Sequence, residues 1–256
     1  MAARKRIAII TGATSGFGKI FTELADQQFK NIDEFWIVGR DASKLIDLSN
    51  KISHRTRLIP YDLTKMYSLK KIAGFIKEEK PIIKILVNSA GFGVTGHVED
   101  QHVQMLTDMI DLNCRALTYM CRIALPYMCP NSRIINFASV AAFMPQPSFA
   151  VYAATKAYVM SFTRALNCEL NSRKIYALAV CPGPANTNFF GTAENKGGIH
   201  AGSYKDLFMV EPKPVVKKAI YDSIMKKEVS IYSIPMKGLH IITKIIPRKF
   251  IFRLLK

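Results

Sequence analysis

The sequence of 256 residues predicts a single α/β domain with a doubly wound parallel sheet and helices on both faces. Two observations lead to this prediction. Short apolar segments, typical of buried strands, alternate with longer segments that are compatible with helices. The chain is also 49% hydrophobic, which is enough to bury one large core. No internal repeat or linker divides it.

The predicted strands are short and are spaced along the whole chain. They cover residues 6–10, 34–38, 56–59, 84–87, 133–138, 175–180 and 229–232. In a sheet of this kind the ligand lies at the carboxyl ends of the strands, so polar or glycine-rich segments that directly follow a strand are candidates for the functional site.

A glycine-rich turn follows the first predicted strand. It reads Thr11-Gly-Ala-Thr-Ser-Gly-Phe-Gly18 and leads into a helix-compatible segment that extends to Gln28. Glycines permit a tight turn and a close approach of the backbone to a ligand, and the start of a helix offers free amide donors. The strand, the turn and the helix together predict a Rossmann fold that binds a dinucleotide pyrophosphate.

A tyrosine and a lysine form the second candidate feature. Tyr152 and Lys156 are four residues apart in a proline-free segment that is predicted to be helical from after Phe149 to Leu170, so both lie on one helix face. An ammonium group beside a phenol favours the phenolate and is expected to lower the pKa of Tyr152. Ser139 ends the predicted strand upstream. The spacing alone is common, and the neighbouring motifs give it weight.

With these motifs and four more in the same order, the chain resembles the short-chain dehydrogenase/reductase family over nearly its whole length. Asp62-Leu63 follows the third strand. Asn88-Ser-Ala-Gly91 follows the fourth and differs from the family pattern Asn-Asn-Ala-Gly at Ser89. Asn113 matches the family's helix asparagine, and Pro182-Gly-Pro-Ala-Asn-Thr187 follows the sixth strand.

The resemblance implies the interconversion of a carbonyl and an alcohol with a nicotinamide cofactor. Tyr152 would donate or accept the proton and Ser139 would orient the substrate oxygen. Lys156 would lower the pKa of Tyr152 and bind the nicotinamide ribose, and Asn113 would hold a water that relays protons. The expected cofactor-binding residues are Gly12, Thr14, Ser15, Gly16, Phe17, Gly18, Arg40, Asp62, Leu63, Asn88, Ala90, Gly91, Tyr152, Lys156, Pro182, Gly183 and Thr187.

The end of the second strand predicts that NADP(H) is preferred over NAD(H). Gly39 occupies the position where relatives that use NAD carry an acid, and Arg40 follows it. A guanidinium group can bind the 2′-phosphate of NADP, which a carboxylate would repel. Asp41 and Ser15 depart from the pattern of NADP-dependent relatives, and Arg40 would have no such role if it only began the next helix in solvent.

The expected substrate is a hydrophobic ketone or alcohol, such as a steroid, a bile acid, a fatty-acyl ketone or a xenobiotic carbonyl. A substrate lid is expected at about residues 188–211. The residues predicted to line the pocket are Phe92, Ser139, Phe143, Met144, Phe189, Phe190 and Phe208. The competing interpretation is that these aromatic side chains only pack the lid onto the core.

The formal net charge of +17 includes a basic segment at the carboxyl end. We expect a catalytic domain over residues 1–235 and a basic amphipathic tail over 236–256, where six Lys or Arg residues occur without an acid. This tail would bind an anionic membrane surface, cover the substrate pocket or contact another subunit. The resemblance also implies a homodimer or homotetramer. No nucleic-acid motif accompanies the charge.

Several other classes of protein are disfavoured. The five cysteines and five histidines lack the spacing of metal ligands, so no metal is expected. The sequence also lacks a long apolar segment at its start, which favours the cytoplasm with peripheral membrane contact through the tail. A dinucleotide-binding regulator or scaffold without turnover is the alternative function, although all four catalytic residues of the family pattern are present.

Overall fold

The computed structural model describes residues 4–185 and 209–245. These residues form one sheet of seven strands in the order β3-β2-β1-β4-β5-β6-β7, with every pair parallel. The strands are β1 Arg6–Thr11, β2 Glu34–Val38, β3 Arg55–Ile59, β4 Ile82–Asn88, β5 Met128–Phe137, β6 Tyr176–Val180 and β7 Val229–Ser230. The predicted doubly wound parallel sheet is confirmed.

The helices of the described residues alternate with these strands. They are α1 Gly16–Gln28, α2 Ala42–Ser49, α3 Met66–Glu79, α4 Val103–Ile110, α5 Leu117–Ala124, α6 Ala150–Leu170, α7 Pro212–Ile224 and α8 Ile234–Ile245. A π-helical turn, Asp111–Ala116, joins α4 to α5. The helix predicted after Phe149 is α6. None of the helices in the described ranges has the length and apolar character needed to cross a membrane.

Alternating residues of the buried strands form two separate cores. Ile7 and Ile9 of β1 pack with α3, α5 and α6 on one face of the sheet. Ala8 and Ile10 pack with α1, α2 and α7 on the other face. Because successive strand side chains point to opposite faces, a strand buried on both sides must be apolar throughout, as the sequence of β1 is.

The chain order reverses between β1 and β4, and this reversal positions the functional site. Sequential strands run outward from β1 to β3 in one direction and from β4 to β7 in the other. Thr11 pairs with Asn88, and Asn88 pairs with Asn136, so the carboxyl ends of β1, β4 and β5 are aligned at one edge. A crevice for a ligand is expected at such a reversal.

Candidate active site

A cavity of about 920 Å³ lies at this edge of the sheet. The turns that follow β1 to β6 all contribute to its walls. Most of the predicted cofactor-binding residues within the described ranges line it: Gly12, Thr14, Ser15, Gly16, Phe17, Arg40, Asp62, Leu63, Ala90, Gly91, Tyr152, Lys156, Pro182 and Gly183. Of the predicted substrate residues, Phe92, Ser139 and Met144 line it.

The glycine-rich turn forms one end of the cavity. Gly12 has a φ of +67°, and a Cβ atom at this position would lie 2.7 Å from the backbone nitrogen of Ala90, so only glycine fits. The hydroxyl of Thr11 accepts hydrogen bonds from the amides of Ser89 and Ala90 at 3.2 and 3.3 Å, which ties this turn to the one after β4. The side chain of Ser15 does not cap α1, and the first turn of α1 carries no acid. The amides at this helix start therefore suit an anionic group.

The turn after β2 brings a cation to the same cavity. Arg40 is exposed and lines the cavity, and no carboxylate lies within 4.0 Å of its guanidinium among the described residues. A Cβ atom on Gly39 would lie 2.6 Å from Cγ2 of Thr14, so any side chain at this position would require Thr14 to shift. Asp41 is occupied elsewhere. It accepts a hydrogen bond from the amide of Lys44 at 3.1 Å, which caps α2.

Tyr152 is buried and lines the cavity. Its side chain forms a hydrogen bond with that of Ser139. Its ring stacks on Phe149 with 4.2 Å between the ring centroids. Burial raises the pKa of Tyr152 well above its ordinary value, and the hydrogen bond with Ser139 only partly opposes this effect. The phenol is therefore protonated at neutral pH in this structure.

Lys156 is also buried and lines the cavity beside Tyr152. Its ammonium donates a hydrogen bond to the carbonyl of Phe137 at 2.8 Å and lies 5.6 Å from the ring centroid of Tyr152. Burial lowers the pKa of Lys156 to about 8, while the thiols of Cys114 and Cys181 act in the opposite direction. That this lysine lowers the pKa of Tyr152 stays a prediction, and in this structure burial dominates the pKa of the phenol.

Asn113 lies in the π-helical turn and holds the loop after β4. Its side-chain amide donates to the carbonyl of Phe92 at 2.9 Å and to the hydroxyl of Thr155 at 3.0 Å. Its side-chain oxygen accepts from the amide of Phe92 at 3.1 Å. This side chain is engaged in positioning the cavity wall, so a water at this residue would have to bind its backbone. Thr155 in turn donates to the carbonyl of Tyr152 at 2.8 Å, which links the two catalytic candidates.

Four predicted residues in the described ranges do not line the cavity: Asn113, which holds Phe92 and Thr155, and Asn88, Gly18 and Phe143. Asn88 is buried, and its amide donates to Asn136 at 2.9 Å, so it connects β4 and β5 below the cavity. Gly18 faces the backbone of Gly12 within the turn. The ring of Phe143 packs against His240 of α8, with 4.4 Å between the ring centroids. Thr187, Phe189, Phe190 and Phe208 lie outside the described residues, as does most of the predicted lid.

The sequence interpretation missed part of the wall near Tyr152. Gln146, Pro147, Ser148 and Phe149 line the cavity in the loop between Ser139 and α6. Ser148 has a φ of 56°, a conformation that is uncommon for a residue other than glycine. Phe149 precedes Tyr152 by three residues at the start of the helix, and this spacing could have identified it.

Among the described residues, no three or more His, Cys, Asp or Glu side chains cluster in a way that could hold a metal ion. All five cysteines are free thiols. Burial raises the pKa of Cys121 and of Cys181 to about 12, so these two thiols stay protonated at neutral pH. Ser139, Tyr152, Lys156 and the cation Arg40 line the same cavity.

The comparisons with known proteins agree with this geometry. Residues 6–197 match the family described as short chain dehydrogenase, and the chain belongs to this family of oxidoreductases. An uncharacterized oxidoreductase of Staphylococcus epidermidis is 30% identical over 186 residues, which cover 72% of this chain and 80% of that protein.

Two solved structures extend the comparison. A short-chain dehydrogenase from Sphingobium yanoikuyae in complex with NADPH is 25% identical, with a TM-score of 0.77 over 95% of this chain and 97% of that one. A 3-ketoacyl-(acyl-carrier-protein) reductase from Brucella melitensis complexed with NADH is 26% identical, with a TM-score of 0.71 over 88% and 95% of the two chains. Relatives of this fold thus occur with either dinucleotide.

Proposed function

We propose that the protein is an NADP(H)-dependent oxidoreductase that interconverts a ketone and a secondary alcohol on a hydrophobic substrate. A steroid, a bile acid, a fatty-acyl ketone or a xenobiotic carbonyl compound is the substrate class we favour. One observation carries the proposal. The buried Tyr152, hydrogen-bonded to Ser139, faces the same cavity as the glycine-rich turn and the cation Arg40.

Tyr152 is the proton donor of the proposed reaction. A bound nicotinamide supplies the hydride for reduction. Because burial raises the pKa of Tyr152, the phenol keeps its proton at neutral pH and can give it to the carbonyl oxygen as that oxygen becomes an alcohol. Ser139 lies against the same hydroxyl and orients the substrate oxygen. This arrangement supports reduction as the favoured direction near neutrality.

Lys156 and Asn113 support the proton donor. With a pKa of about 8, Lys156 remains mostly protonated at neutral pH and can donate hydrogen bonds to the nicotinamide ribose. We propose that Asn113 acts mainly by holding Phe92 and Thr155 in place, with a relay water at its backbone. Lys156 would therefore touch the cofactor itself, whereas Asn113 positions its neighbours.

Arg40 is the basis for proposing NADP(H). Its guanidinium is exposed at the end of β2 and lines the cavity, while Asp41 is turned to the cap of α2. A 2′-phosphate would meet a cation there, and Gly39 carries no acid that would repel it.

The remaining walls suit an apolar substrate. Phe92, Val140, Met144 and Phe149 line the cavity around Tyr152, and Gln146 and Ser148 add polar groups. Such a mixture orients a hydrophobic molecule through few polar contacts. We also propose a homodimer or homotetramer formed through α5 and α6, where Tyr158 is 42% exposed.

The test is a screen of steroid, bile-acid, fatty-acyl and small aromatic carbonyl compounds, followed by the absorbance of NADPH. We expect turnover with at least one class of bulky ketone and a kcat at least tenfold lower in the Ser139→Ala variant. Ser43→Ala, which removes an exposed serine of α2, is the matched control. A complete lack of turnover across the panel, or an unchanged rate in Ser139→Ala, would refute the proposal.

A further inference from the structure

The outer face of α8 is a stripe of exposed isoleucines. Ile234, Ile241 and Ile245 are 81%, 57% and 74% exposed. Spacings of seven and four residues put these side chains on one side of a helix. Ile242 beside them is 49% exposed. Isolated exposed isoleucines are common, but a continuous stripe on one helix indicates a surface that contacts a lipid layer or another molecule.

The inner face of α8 lies next to the active-site cavity. Met236 is buried and Leu239 packs against the core on the α6 face of the sheet. The ring of His240 contacts Phe143, which ends the short 3₁₀ turn Val140–Phe143. That turn directly follows Ser139, and its first residue, Val140, lines the cavity. Whatever covers the outer face of α8 is therefore one helix away from the substrate side of the cavity.

The basic sequence that contains and follows α8 selects among the candidates for that cover. From Val229 to Lys256 the sequence contains no Asp or Glu, and six Lys or Arg residues follow Pro235. Lys237, three residues after Ile234, is exposed. A second copy of the chain on this face would bring its own basic segment to the contact, and the like charges of the two segments would repel. Anionic lipid headgroups would attract the cations while the isoleucines enter the apolar layer.

We propose that α8 docks on an anionic lipid surface and places the substrate side of the active-site cavity beside it, so that the substrate is a carbonyl compound that partitions into the membrane. The docking is independent of catalysis. The statement about the substrate rests on the proposed function.

The docking is tested by sedimentation of the full chain with vesicles of phosphatidylcholine alone or with about one third phosphatidylglycerol. We expect binding to the anionic vesicles only, weakened by salt. Because each buried isoleucine contributes roughly a tenfold change in partition, Ile241→Asp/Ile245→Asp should bind about 100-fold more weakly. Ile46→Asp/Val103→Asp makes the same charge change at two isolated exposed sites, which are 49% and 74% exposed, and should bind nearly as wild type does.

Equal binding of the two double variants, or no preference for anionic vesicles, would overturn the docking. Sedimentation velocity provides a further check, because an oligomer that dissociates only in Ile241→Asp/Ile245→Asp would identify α8 as a subunit contact instead. All variants are first compared by thermal unfolding, and no loss of stability is expected at exposed positions.

The substrate statement has a separate readout. Anionic vesicles should raise the kcat/KM of the wild type for a long-chain ketone dissolved in the bilayer, and should leave that for a small water-soluble ketone unchanged. The Ile241→Asp/Ile245→Asp variant should lose this stimulation and keep the activity on the soluble ketone. Binding without stimulation would overturn the substrate statement alone. If neither ketone is reduced, the proposed function fails while the vesicle result still decides the docking.

Discussion

Replacement of Arg40 by alanine should reduce the preference for NADPH. The guanidinium stands at the end of β2 on the cavity wall, and no carboxylate within 4.0 Å in the described part of the chain neutralises it. Asp41, the nearest acid in the sequence, caps α2 and pairs with Lys44 at 3.3 Å. Arg40 is thus available for a 2′-phosphate, and alanine removes this contact without disturbing a structural hydrogen bond.

The size of the effect follows from the kind of contact that is lost. A hydrogen bond to a charged group contributes about 1.5 to 3 kcal/mol, and 1.4 kcal/mol corresponds to a factor of ten in affinity. Loss of the contact should therefore raise the KM for NADPH roughly 10- to 150-fold. Since Arg40 is exposed and screened by solvent, the lower part of this range is the expected one.

The assay compares kcat and KM for NADPH and NADH in the wild type and in Arg40→Ala. The kcat with NADPH should change little, because Arg40 is remote from Tyr152 in the cavity wall, and the values with NADH should stay the same. Arg55→Ala removes an exposed arginine at the other end of the adjacent strand β3 and serves as the matched control.

Two results would refute this reasoning. One is an equal increase in KM for both cofactors, which would mean that Arg40 acts on a part common to NADPH and NADH. The other is a wild type with equal kcat/KM for both cofactors, which would remove the argument for NADP(H) altogether.

Three further predictions concern pH and positioning. Because burial raises the pKa of Tyr152, kcat/KM for alcohol oxidation should rise about tenfold per pH unit between about pH 6 and 8, whereas that for ketone reduction should stay nearly constant; a flat oxidation profile would contradict this. Although burial opposes it, hydrogen bonds from His54 and Ser53 lower the pKa of Asp26 from 3.8 to about 2. The resulting stabilisation is complete above pH about 4 and is lost as the pH falls towards 2. Acidification to about pH 2 should therefore lower the free energy of unfolding, measured with urea, by about 2 kcal/mol more in the wild type than in Asp26→Asn. Equal decreases in the two proteins would exclude this contribution of Asp26. Asn113→Ala removes three hydrogen bonds to Phe92 and Thr155 and should lower kcat at least tenfold, while the affinity for NADPH stays within about threefold of wild type. Asn113→Asp keeps the acceptor for the Phe92 amide and should retain more activity. An equal loss of activity in both variants would argue against the acceptor role.

The sheet and most of the cofactor site could be predicted from the sequence because their signals are local. A strand buried on both faces, such as β1, must be apolar throughout, and the turn after it needs glycine at Gly12 because the backbone of Ala90 approaches so closely. Because each motif follows a strand of a parallel sheet, the order of the motifs also predicted that they meet at the carboxyl ends of the strands. Ser139 and Tyr152 are brought together as expected.

The parts that could not be predicted depend on burial and on contacts distant in the chain. The sequence places a cation four residues from Tyr152, but the pKa of the phenol follows its desolvation, which only the packed structure reveals. In the same way, the apolar ring of Phe143 suits a pocket wall in the sequence, but α8 approaches from almost 100 residues away and covers it with His240. The sequence likewise suggests that Asn88 contacts a ligand, but in the structure its side-chain amide donates a hydrogen bond to Asn136 on the neighbouring strand.

The central claim is that Tyr152 is the proton donor of a carbonyl reductase, and the Tyr152→Phe variant tests it most directly. The side chain keeps its ring, its stacking on Phe149 and its volume, and loses only the hydroxyl. We expect NADPH to bind within about twofold of wild type in fluorescence titration, and kcat for ketone reduction to fall about 100- to 10,000-fold. A kcat within tenfold of wild type, with NADPH bound equally well, would contradict the account.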